Sequence, residues 1–510
     1  MEAGRRGSIS FRDSRSCELT VPEALIPDEI RNWIDGGERA AVSGDWFAKI
    51  NPTDGQSLCR VARSGAKDID QAVCAARKAQ NDWANLPPVR RGMLLYAVVT
   101  NLKQERERMA RVVAMETGKS YNSALGETDG AMELGLFYAS EGQRLYGRTT
   151  TSGDANRYAM TVRQPLGVAG LIVAANTPIA NVAWKVFPAL ICGNAAILKA
   201  AEDTPATAWL FARIAHEAGL PPGVLNVVQG YGEEAGAPLV AHRGVDIISF
   251  TGSTAVGRRI GAVAGERLAK ISLELGGKNP LVVCDDADLE NAVKWALLSA
   301  FSNAGQRCAA ASRIIVFDSV YDQFRHMMVE RTRGLRVGPS DDDDLGPVIN
   351  ERQLKNMLRA IEGAKKRGAV VLVGGHRLMD AEHKNGFYLA PTLLDEIDPQ
   401  DELSTRELFG PIACLYRAGN FAECLALAND SPYGLTACIH TRNLDRAIVF
   451  TQKVQAGVAV VNAGTYGSEP HMPFGGLKQS GNGSREPGTE ALDVYSSLKD
   501  IYVTSNPAAL

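Results

Sequence analysis

The sequence has no excess of either charge, no long hydrophobic run and no hydrophobic leader. Its 55 Lys and Arg residues nearly balance 58 Asp and Glu residues, so the formal net charge is −3 at pH 7. A chain without a basic excess binds nucleic acids and anionic membranes poorly. No stretch reaches the ~18 apolar residues of a transmembrane helix, and residues 1–20 predict a polar tail. We therefore expect no nucleic-acid partner and no membrane partner.

The cysteine pattern lacks the spacings of disulfide frameworks and metal sites. The nine cysteines are an odd number, contain no CxxC pair and form no zinc pattern with the seven histidines. This usage is typical of reduced thiols, so it predicts a cytoplasmic protein without a metal site. The chain also lacks a Gly-x-Ser-x-Gly elbow, a Walker A loop and a GxGxxG fingerprint, so serine hydrolases and P-loop enzymes have no support.

What the chain does have is enough apolar sequence for large cores. It contains 510 residues, of which 45% are hydrophobic, and its length corresponds to about three domains. Between residues 167 and 276, and again between 280 and 461, short apolar strand-like stretches alternate with helical patterns. This alternation is typical of parallel sheets covered by helices, so the predicted fold class is α/β.

The segments outside these two blocks have other patterns. Apolar residues at helical spacing predict a helix over residues 66–83 and one long helix over about residues 88–113. Alternating polar and apolar residues predict edge strands at Arg157–Arg163 and at Asp493–Thr504.

Cys308 and Glu274 are the strongest candidates for catalysis. Cys308 is flanked by small residues and follows Arg307, and a neighbouring cation favours the nucleophilic thiolate. A cysteine is also commonly a buried small hydrophobic residue, so a structural role stays open. Glu274 ends an apolar strand before two glycines. If buried, it would have a raised pKa and suit a general base; a salt-paired strand end is the alternative.

Further candidates follow the apolar strands of the first block, where open α/β sheets bind ligands. Asn176 can donate to an oxyanion or belong to a loop or helix cap. Lys199 and Glu202 can bind ribose hydroxyls or be ordinary solvated charges. A strand-to-helix turn can place backbone N–H groups against a phosphate; it contains Gly252, Ser253 and Gly257.

Together these segments resemble the aldehyde dehydrogenase superfamily, whose members oxidise aldehydes to acids with NAD(P). The resemblance covers about residues 30–503 and depends on many segments in the same order, which is far more specific than any one of them. These segments are Glu116–Lys119, Asn176–Pro178, Trp184–Lys185, Leu198–Glu202, Phe250–Thr254, Leu273–Pro280, Gly305–Cys308, Glu407–Pro411 and Pro473–Gly476.

The resemblance implies roles for the matching residues. Cys308 attacks the aldehyde, the Asn176 side chain and the Cys308 backbone N–H hold the oxyanion, and Glu274 activates the water that releases the acid. Lys185 assists proton relay. The implied cofactor-binding residues are Lys199 and Glu202 at the adenosine ribose, Gly232 near the adenine, Gly252, Ser253 and Gly257 at the pyrophosphate turn, and Glu407 and Phe409 at the nicotinamide.

The resemblance also implies a domain layout, an assembly and a cofactor. A Rossmann-like dinucleotide-binding domain takes residues 21–152 and 167–276, an α/β catalytic domain takes residues 277–480, and a small β bridging segment takes residues 153–166 and 481–505. Such members usually form homodimers or homotetramers. NAD is the expected cofactor because Glu202 would repel a 2′-phosphate, with NADP as the alternative.

Two departures from the family pattern concern the substrate, and a third is the polar N-terminal tail, which is longer than usual. Thr177 stands where many members carry an aromatic residue. The loop over residues 463–472, with Tyr466 and His471, differs from the aromatic box of members that act on apolar aldehydes. Ala309 leaves room beside the nucleophile, and Arg307 or His471 is placed to meet an anionic or polar tail.

Two alternative functions are kept at this stage. A CoA-acylating semialdehyde dehydrogenase resembles this chain, but such members usually lack the glutamate base, so Glu274 argues against it. A thiol hydrolase or a non-catalytic member of the fold has no need for the nucleotide residues Lys199, Glu202 and Glu407.

Overall fold

The structure, a computed structural model, describes residues 24–509. The expected polar tail over residues 1–20 lies outside the described residues. Five short strands precede the first helix, and the sequence patterns did not indicate them. They are Glu29–Ile30, Asn32–Ile34, Gly37–Arg39, Trp46–Ile50 and Ser57–Ala62.

The first of two seven-stranded sheets contains the predicted alternating block. Five adjacent strands, starting from one edge, are parallel, and two antiparallel strands from the N-terminal segment form the other edge. In sheet order the strands are Lys270–Glu274, Ile247–Thr251, Val168–Ile172, Ala195–Lys199, Leu225–Val228, Asn32–Ile34 and Gly37–Arg39.

The helices around this sheet bury both of its faces. Alternate residues of a strand, such as Ile197 and Leu198, enter different hydrophobic clusters because successive side chains point to opposite faces. The helices are Ala66–Asn85, Pro88–Gln104, Arg106–Thr117, Tyr121–Glu141, Pro178–Ile191, Pro205–Glu217, the π-helical turn Gly232–Gly236, Ala237–Ala241 and Thr254–Glu266.

The second seven-stranded sheet is parallel except for one antiparallel edge strand. In sheet order its strands are Val370–Val373, Thr392–Asp395, Ile412–Ala418, Ala311–Phe317, Asn279–Val283, Thr436–His440 and Val458–Val461. Its helices are Leu289–Phe301, the 3₁₀ turn Ser302–Gly305, Asp318–Arg333, Glu351–Lys366, Glu402–Thr405, Phe421–Asn429 and Leu444–Lys453.

Three small sheets, one short helix and one 3₁₀ turn complete the fold. Strand Arg157–Pro165 pairs antiparallel with Ser496–Thr504 along its whole length and with Thr149–Thr150. The N-terminal strands outside the large sheet form a small sheet of three. A two-stranded ribbon joins Tyr433–Gly434 to Leu477–Lys478, and the chain also forms the helix Ala491–Tyr495 and the 3₁₀ turn Pro507–Ala509.

Two predicted elements are wrong in extent. The long helix over residues 88–113 is two helices, because the backbone of Glu105 leaves the helical region at φ −92° and ψ 13°. Both Leu102 and Met109 stay buried across this break, so the apolar spacing continues and hides it. The closing strand begins at Ser496, because residues from Ala491 to Tyr495 form a helix whose apolar side chains are buried.

No helix within residues 24–509 combines the length and the apolar character that a transmembrane segment requires.

Candidate active site

The carboxyl ends of the parallel strands in the first sheet face a cavity of about 490 Å³. Strand register places Lys199 opposite Ile172 and Glu274 opposite Thr251, so the loops that follow these strands emerge at one edge. Loops of the second sheet form the opposite wall. Lining residues include Asn176, Thr177, Trp184, Gly252, Ser253, Glu274, Gly276, Cys308, Glu407, Phe409 and Phe474.

Cys308 lies in a loop just before the central strand Ala311–Phe317 of the second sheet. The preceding turn has three residues with left-handed backbone, ending at Gly305 with φ 65°. A Cβ at Gly305 would overlap the Gly410 carbonyl, so this turn requires glycine. Asn279 Nδ2 donates to the Cys308 carbonyl at 2.8 Å, which fixes the loop against the neighbouring strand.

The Cys308 side chain stands where two cavities meet. It lines the 490 Å³ cavity together with Glu274, and it also lines a second cavity of about 260 Å³ together with Arg307 and Tyr466. Trp184 and Phe474 line both, with ring centroids 5.4 Å apart. A small molecule can therefore reach the sulfur from either side.

The electrostatic environment of Cys308 corrects one expectation. The pKa of its thiol is raised to about 12, mainly by burial and to a smaller extent by the carboxyl groups of Glu407 and Glu274. The Ala309 backbone N–H and the Arg307 cation lower this pKa, but they are outweighed. The neighbouring arginine thus does not make Cys308 a thiolate in this unliganded site, so attack requires a base to take the proton.

Glu274 is buried, which is one of the two alternatives that the sequence left open, and its carboxyl oxygens have no hydrogen-bond partner. Burial raises its pKa well above the ordinary value of 4.5, and the nearby Glu486 adds to this increase. Lys185 and Arg485 lower the pKa less. A protonatable carboxyl group without a structural partner, facing the cavity beside Cys308, is free to exchange protons with a ligand.

The Asn176 amide lies over the Cys308 loop. Its Nδ2 donates to the Gln306 backbone carbonyl at 2.9 Å. The backbone carbonyl of Asn176 accepts from Lys119 Nζ at 2.8 Å. Lys119 also forms a buried ion pair with Glu127 at 2.6 Å. The same Glu127 accepts from the Ile179 N–H at 3.0 Å, where the hydroxyl of the N-cap residue makes no capping bond.

Lys185 is buried and does not line either cavity. Its ammonium donates to Ser249 Oγ at 2.6 Å and to Glu486 Oε2 at 2.8 Å. Glu486 also accepts from Ser249 Oγ at 2.9 Å and from the Tyr495 hydroxyl at 2.8 Å. This buried network lies close enough to Glu274 for both of its charges to act on the Glu274 pKa.

Lys199 and Glu202 form an ion pair of 2.9 Å beyond the second parallel strand. Burial works to raise the pKa of Glu202, but the Lys199 ammonium and its hydrogen bond lower it overall. The following helix is capped from outside, because Glu116 accepts from the Ala206 N–H at 2.6 Å and the Thr207 N–H at 2.9 Å. Because its pKa is lowered by Lys199, Glu202 presents a carboxylate at the carboxyl edge of the sheet.

The glycine-containing turns are placed differently from one another. Gly252 and Ser253 line the 490 Å³ cavity, and Ser253 caps the helix Thr254–Glu266 by accepting from the Val256 N–H. Gly257 packs against Leu275, where a Cβ would press on the leucine side chain. Gly232 is exposed and begins a π-helical turn. It lines neither the 490 Å³ cavity nor the 260 Å³ cavity.

Glu407 and Phe409 come from the second sheet's side of the cavity. Burial raises the pKa of Glu407 to about 7, against the lowering effect of the Gly277 N–H and Lys278. That N–H donates to Glu407 Oε1 at 3.1 Å. A Cβ at Gly276 would overlap the other carboxyl oxygen, so glycine permits the two walls to approach here.

Four residues with a part in the site's geometry had no assigned role in the sequence analysis: Lys119, Glu127, Asn279 and Glu486. Lys119 and Asn279 belong to matched segments, so their position was the available signal. Glu127 and Glu486 lie outside those segments, and nothing local to them indicated a partner. Within residues 24–509, no three His, Cys, Asp or Glu residues form a group able to hold a metal ion.

The chain matches the aldehyde dehydrogenase family over residues 39–501. It is 38% identical to the alpha-ketoglutaric semialdehyde dehydrogenase of Bacillus subtilis, over 92% of this chain and 97% of that protein. It is also 38% identical to the cytosolic aldehyde dehydrogenase 1 of Rattus norvegicus, over 96% of this chain and 98% of that protein.

Solved structures agree with the sequence relatives. The betaine aldehyde dehydrogenase of Staphylococcus aureus, crystallised with NAD⁺, superposes with a TM-score of 0.92 at 32% identity. The match covers 94% of this chain and 95% of that one. Both the overall architecture and most of the chain length are therefore shared.

Proposed function

Because this chain belongs to the aldehyde dehydrogenase family, we propose that it oxidises its aldehyde through a covalent intermediate on Cys308. The chain is an oxidoreductase that acts on aldehydes. The observation that carries the proposal is the position of Cys308 at the junction of two cavities, one of which is also lined by Glu274, whose buried carboxyl oxygens have no hydrogen-bond partner. One cavity offers a path for substrate and the other a place for cofactor.

The residues of the larger cavity fit NAD. The N-terminus of the helix Thr254–Glu266 opens into it, and such helix ends bind phosphate. Glu407 and Phe409, which line this cavity, suit a ribose hydroxyl and the flat nicotinamide. Glu202, which lines a separate cavity with Tyr231, suits the hydroxyls of the second ribose. The Staphylococcus aureus relative with bound NAD⁺ supports the same choice. When bound, NAD supplies the acceptor for the aldehyde's hydride.

In the first step, Glu274 accepts the proton of the Cys308 thiol. Cys308 Sγ attacks the aldehyde carbon and forms a thiohemiacetal, while the thiol proton passes to the carboxylate of Glu274. The developing oxyanion accepts from the Cys308 backbone N–H and from Asn176 Nδ2. That amide has two hydrogens, and only one is donated to Gln306, so one stays available.

The second step releases the acid. After loss of hydride the carbon is a thioester on Cys308. Glu274 passes the thiol proton to the Lys185–Glu486 pair behind it and, as a carboxylate again, takes a proton from water so that the oxygen can attack. Sγ then leaves as the thiolate. We assign Lys185 and Glu486 to proton movement behind Glu274, because both charges act on its pKa. The Lys119–Glu127 ion pair holds Asn176 in position.

Assembly and compartment follow from the surface and the thiols. The ribbon of Arg157–Pro165 and Ser496–Thr504 exposes large apolar side chains, which is a typical interface signal. They are Tyr158, Leu498, Tyr502 and Val503. We propose a homodimer or homotetramer joined there, a bridging role for this segment, and the reducing cytoplasm as the compartment, since the eight described cysteines are free.

The test is reduced-cofactor formation from a panel of aldehydes, with NAD or NADP and with or without CoA. The expected result is CoA-independent turnover with NAD that disappears in Cys308→Ala, while NAD binding by calorimetry is retained. Strict dependence on CoA would instead identify an acylating enzyme. Near wild-type turnover in Cys308→Ala would contradict the assignment of the nucleophile.

A further inference from the structure

The 260 Å³ cavity beside Cys308 contains one cation among the residues described along it, Arg307. The side chain is partly buried, and its Nε has no hydrogen-bond partner. Its guanidinium carbon lies 4.5 Å from the Tyr466 ring centroid. The ring contacts the face of the guanidinium and does not compensate its charge with an acceptor.

Arg313 Nε also lacks a partner, but the terminal nitrogens of Arg313 and Arg91 donate to backbone carbonyls. Arg313 donates to the carbonyls of Ser404 and Leu427 at 2.9 and 3.0 Å. Arg91 donates to the Ile191 carbonyl at 3.0 Å and to two further carbonyls. A guanidinium carries five N–H donors, and leaving them partly buried without acceptors is costly. The free donors of Arg307 therefore point to an acceptor that enters with a ligand.

The carboxylates that line the same cavity do not neutralise Arg307. Glu127 is held by Lys119 and by backbone N–H groups of the next helix. Glu133 is exposed, and Glu469 is 73% exposed with His471 at 3.5 Å. Charges that face water are screened over about 8–10 Å at physiological salt. Within the described part of the chain, none of these carboxylates reaches ion-pair distance of Arg307.

We propose that the substrates of this enzyme are aldehydes with a distal carboxylate, and that Arg307 binds this carboxylate. The inference rests on the proposed function, because Cys308 must hold the reacting carbon. Guanidinium and carboxylate match as two parallel hydrogen bonds. Arg307 and Cys308 line the same 260 Å³ cavity, and a cavity of this size holds a substrate with a short chain of a few carbons. Trp184 and Phe474 supply apolar walls for its methylene groups.

The experiment compares three aldehydes of similar length and different charge. These are glutaric semialdehyde, which is anionic, pentanal, which is neutral, and a trimethylammonium aldehyde, which is cationic. In the wild-type enzyme we expect kcat/KM to be highest for glutaric semialdehyde. The ratio of its kcat/KM to that of pentanal should fall by about tenfold to hundredfold in Arg307→Met, the range for a lost charged hydrogen bond.

Two further variants separate charge from geometry. Arg307→Lys keeps the charge but loses the paired donors, so its ratio should lie between those of wild type and Arg307→Met. Arg333→Met removes the same charge from an exposed site paired with Glu330, and its ratio should match wild type. Glutarate should also slow alkylation of Cys308 by iodoacetamide more than pentanoate does, and this difference should vanish in Arg307→Met.

Two results would overturn the inference. One is an unchanged ratio in Arg307→Met with unchanged glutarate protection; the other is a wild-type preference for the trimethylammonium aldehyde. Both leave the proposed function intact, since aldehydes are still oxidised. Absence of reduced cofactor with every aldehyde would instead remove the proposed function, and this inference with it.

Discussion

Glu274 and Glu486 are two buried glutamates that act on each other, yet their surroundings differ completely. Glu486 is 0% exposed and accepts hydrogen bonds from Lys185, Ser249, Ser272 and Tyr495. Glu274 is 4% exposed and has no partner for either carboxyl oxygen. The first carboxyl is stabilised by the fold, whereas the second is held without compensation in a residue that lines the same cavity as Cys308. Missing partners, more than burial alone, mark a carboxyl as a candidate for catalysis.

The largest effect should come from Glu274→Gln. A general base is typically worth about 10²–10⁴-fold, so steady-state turnover should fall by that factor. Because Glu274 also takes the Cys308 proton before hydride transfer, the burst of reduced cofactor should be slower but should still approach one per site. Intact mass should then show an acyl adduct on Cys308.

The matched variant Glu486→Gln provides the control for this first prediction. It should accumulate less adduct than Glu274→Gln, because Glu274 itself is still present. Normal steady-state turnover in Glu274→Gln would show that Glu274 has only a structural role. A burst at the wild-type rate would show that another group takes the Cys308 proton.

The second effect concerns stability. Glu486→Gln leaves the fully buried Lys185 ammonium without its charged partner, and breaking such a pair costs about 3 kcal/mol or more. The Tm should drop clearly, whereas Glu274→Gln should leave the Tm unchanged or raise it. The double variant Lys185→Met/Glu486→Gln should recover part of the loss. Equal Tm values for the two glutamine variants would contradict the comparison.

The third effect is a pH dependence of stability. The folded-state pKa of Glu274 lies above its ordinary value of 4.5, so the folded protein keeps a proton that the unfolded chain releases. The contribution of Glu274 is therefore fully present below the unfolded pKa and is lost as pH rises toward the folded pKa. The loss is at most about 1.4 kcal/mol for each pH unit.

Tm measurements over about pH 5–7 test whether the contribution of Glu274 to stability decreases as pH rises. The Tm of wild type relative to Glu274→Gln should decrease as pH rises. Glu330→Gln, at an exposed position paired with Arg333, serves as the control and should run parallel to wild type. Parallel curves for all three proteins would show that Glu274 does not titrate abnormally.

The smallest effect extends the comparison to a third glutamate, which is paired but partly exposed. Glu202 holds Lys199 and has 33% of its side chain exposed. Its charge should disfavour the 2′-phosphate of NADP by about tenfold in kcat/KM. Glu202→Gln should reduce this preference while leaving turnover with saturating NAD close to wild type. Equal kcat/KM for NAD and NADP in wild type would remove the argument.

Several parts of the fold and site were readable from the sequence. Apolar strands that alternate with helices indicate parallel sheets because both faces must be covered, and the family match confirms the α/β fold. An acid inside an apolar strand predicts a buried Glu274, and the structure buries it. The segments around Cys308, Asn176 and Glu407 predicted residues that the structure brings to one cavity. Their catalytic roles stay predictions.

Other features were decided only by tertiary structure, because they depend on residues far apart in the chain. The helix break at Glu105 and the helix Ala491–Tyr495 follow from packing that local spacing does not record. The Glu486 network joins groups about 10 to 300 residues apart. The same applies to Arg307. The sequence determined that a cation precedes Cys308. Only the fold decided that burial and two carboxyl groups outweigh this cation in setting the Cys308 pKa, and that Arg307 Nε has no acceptor.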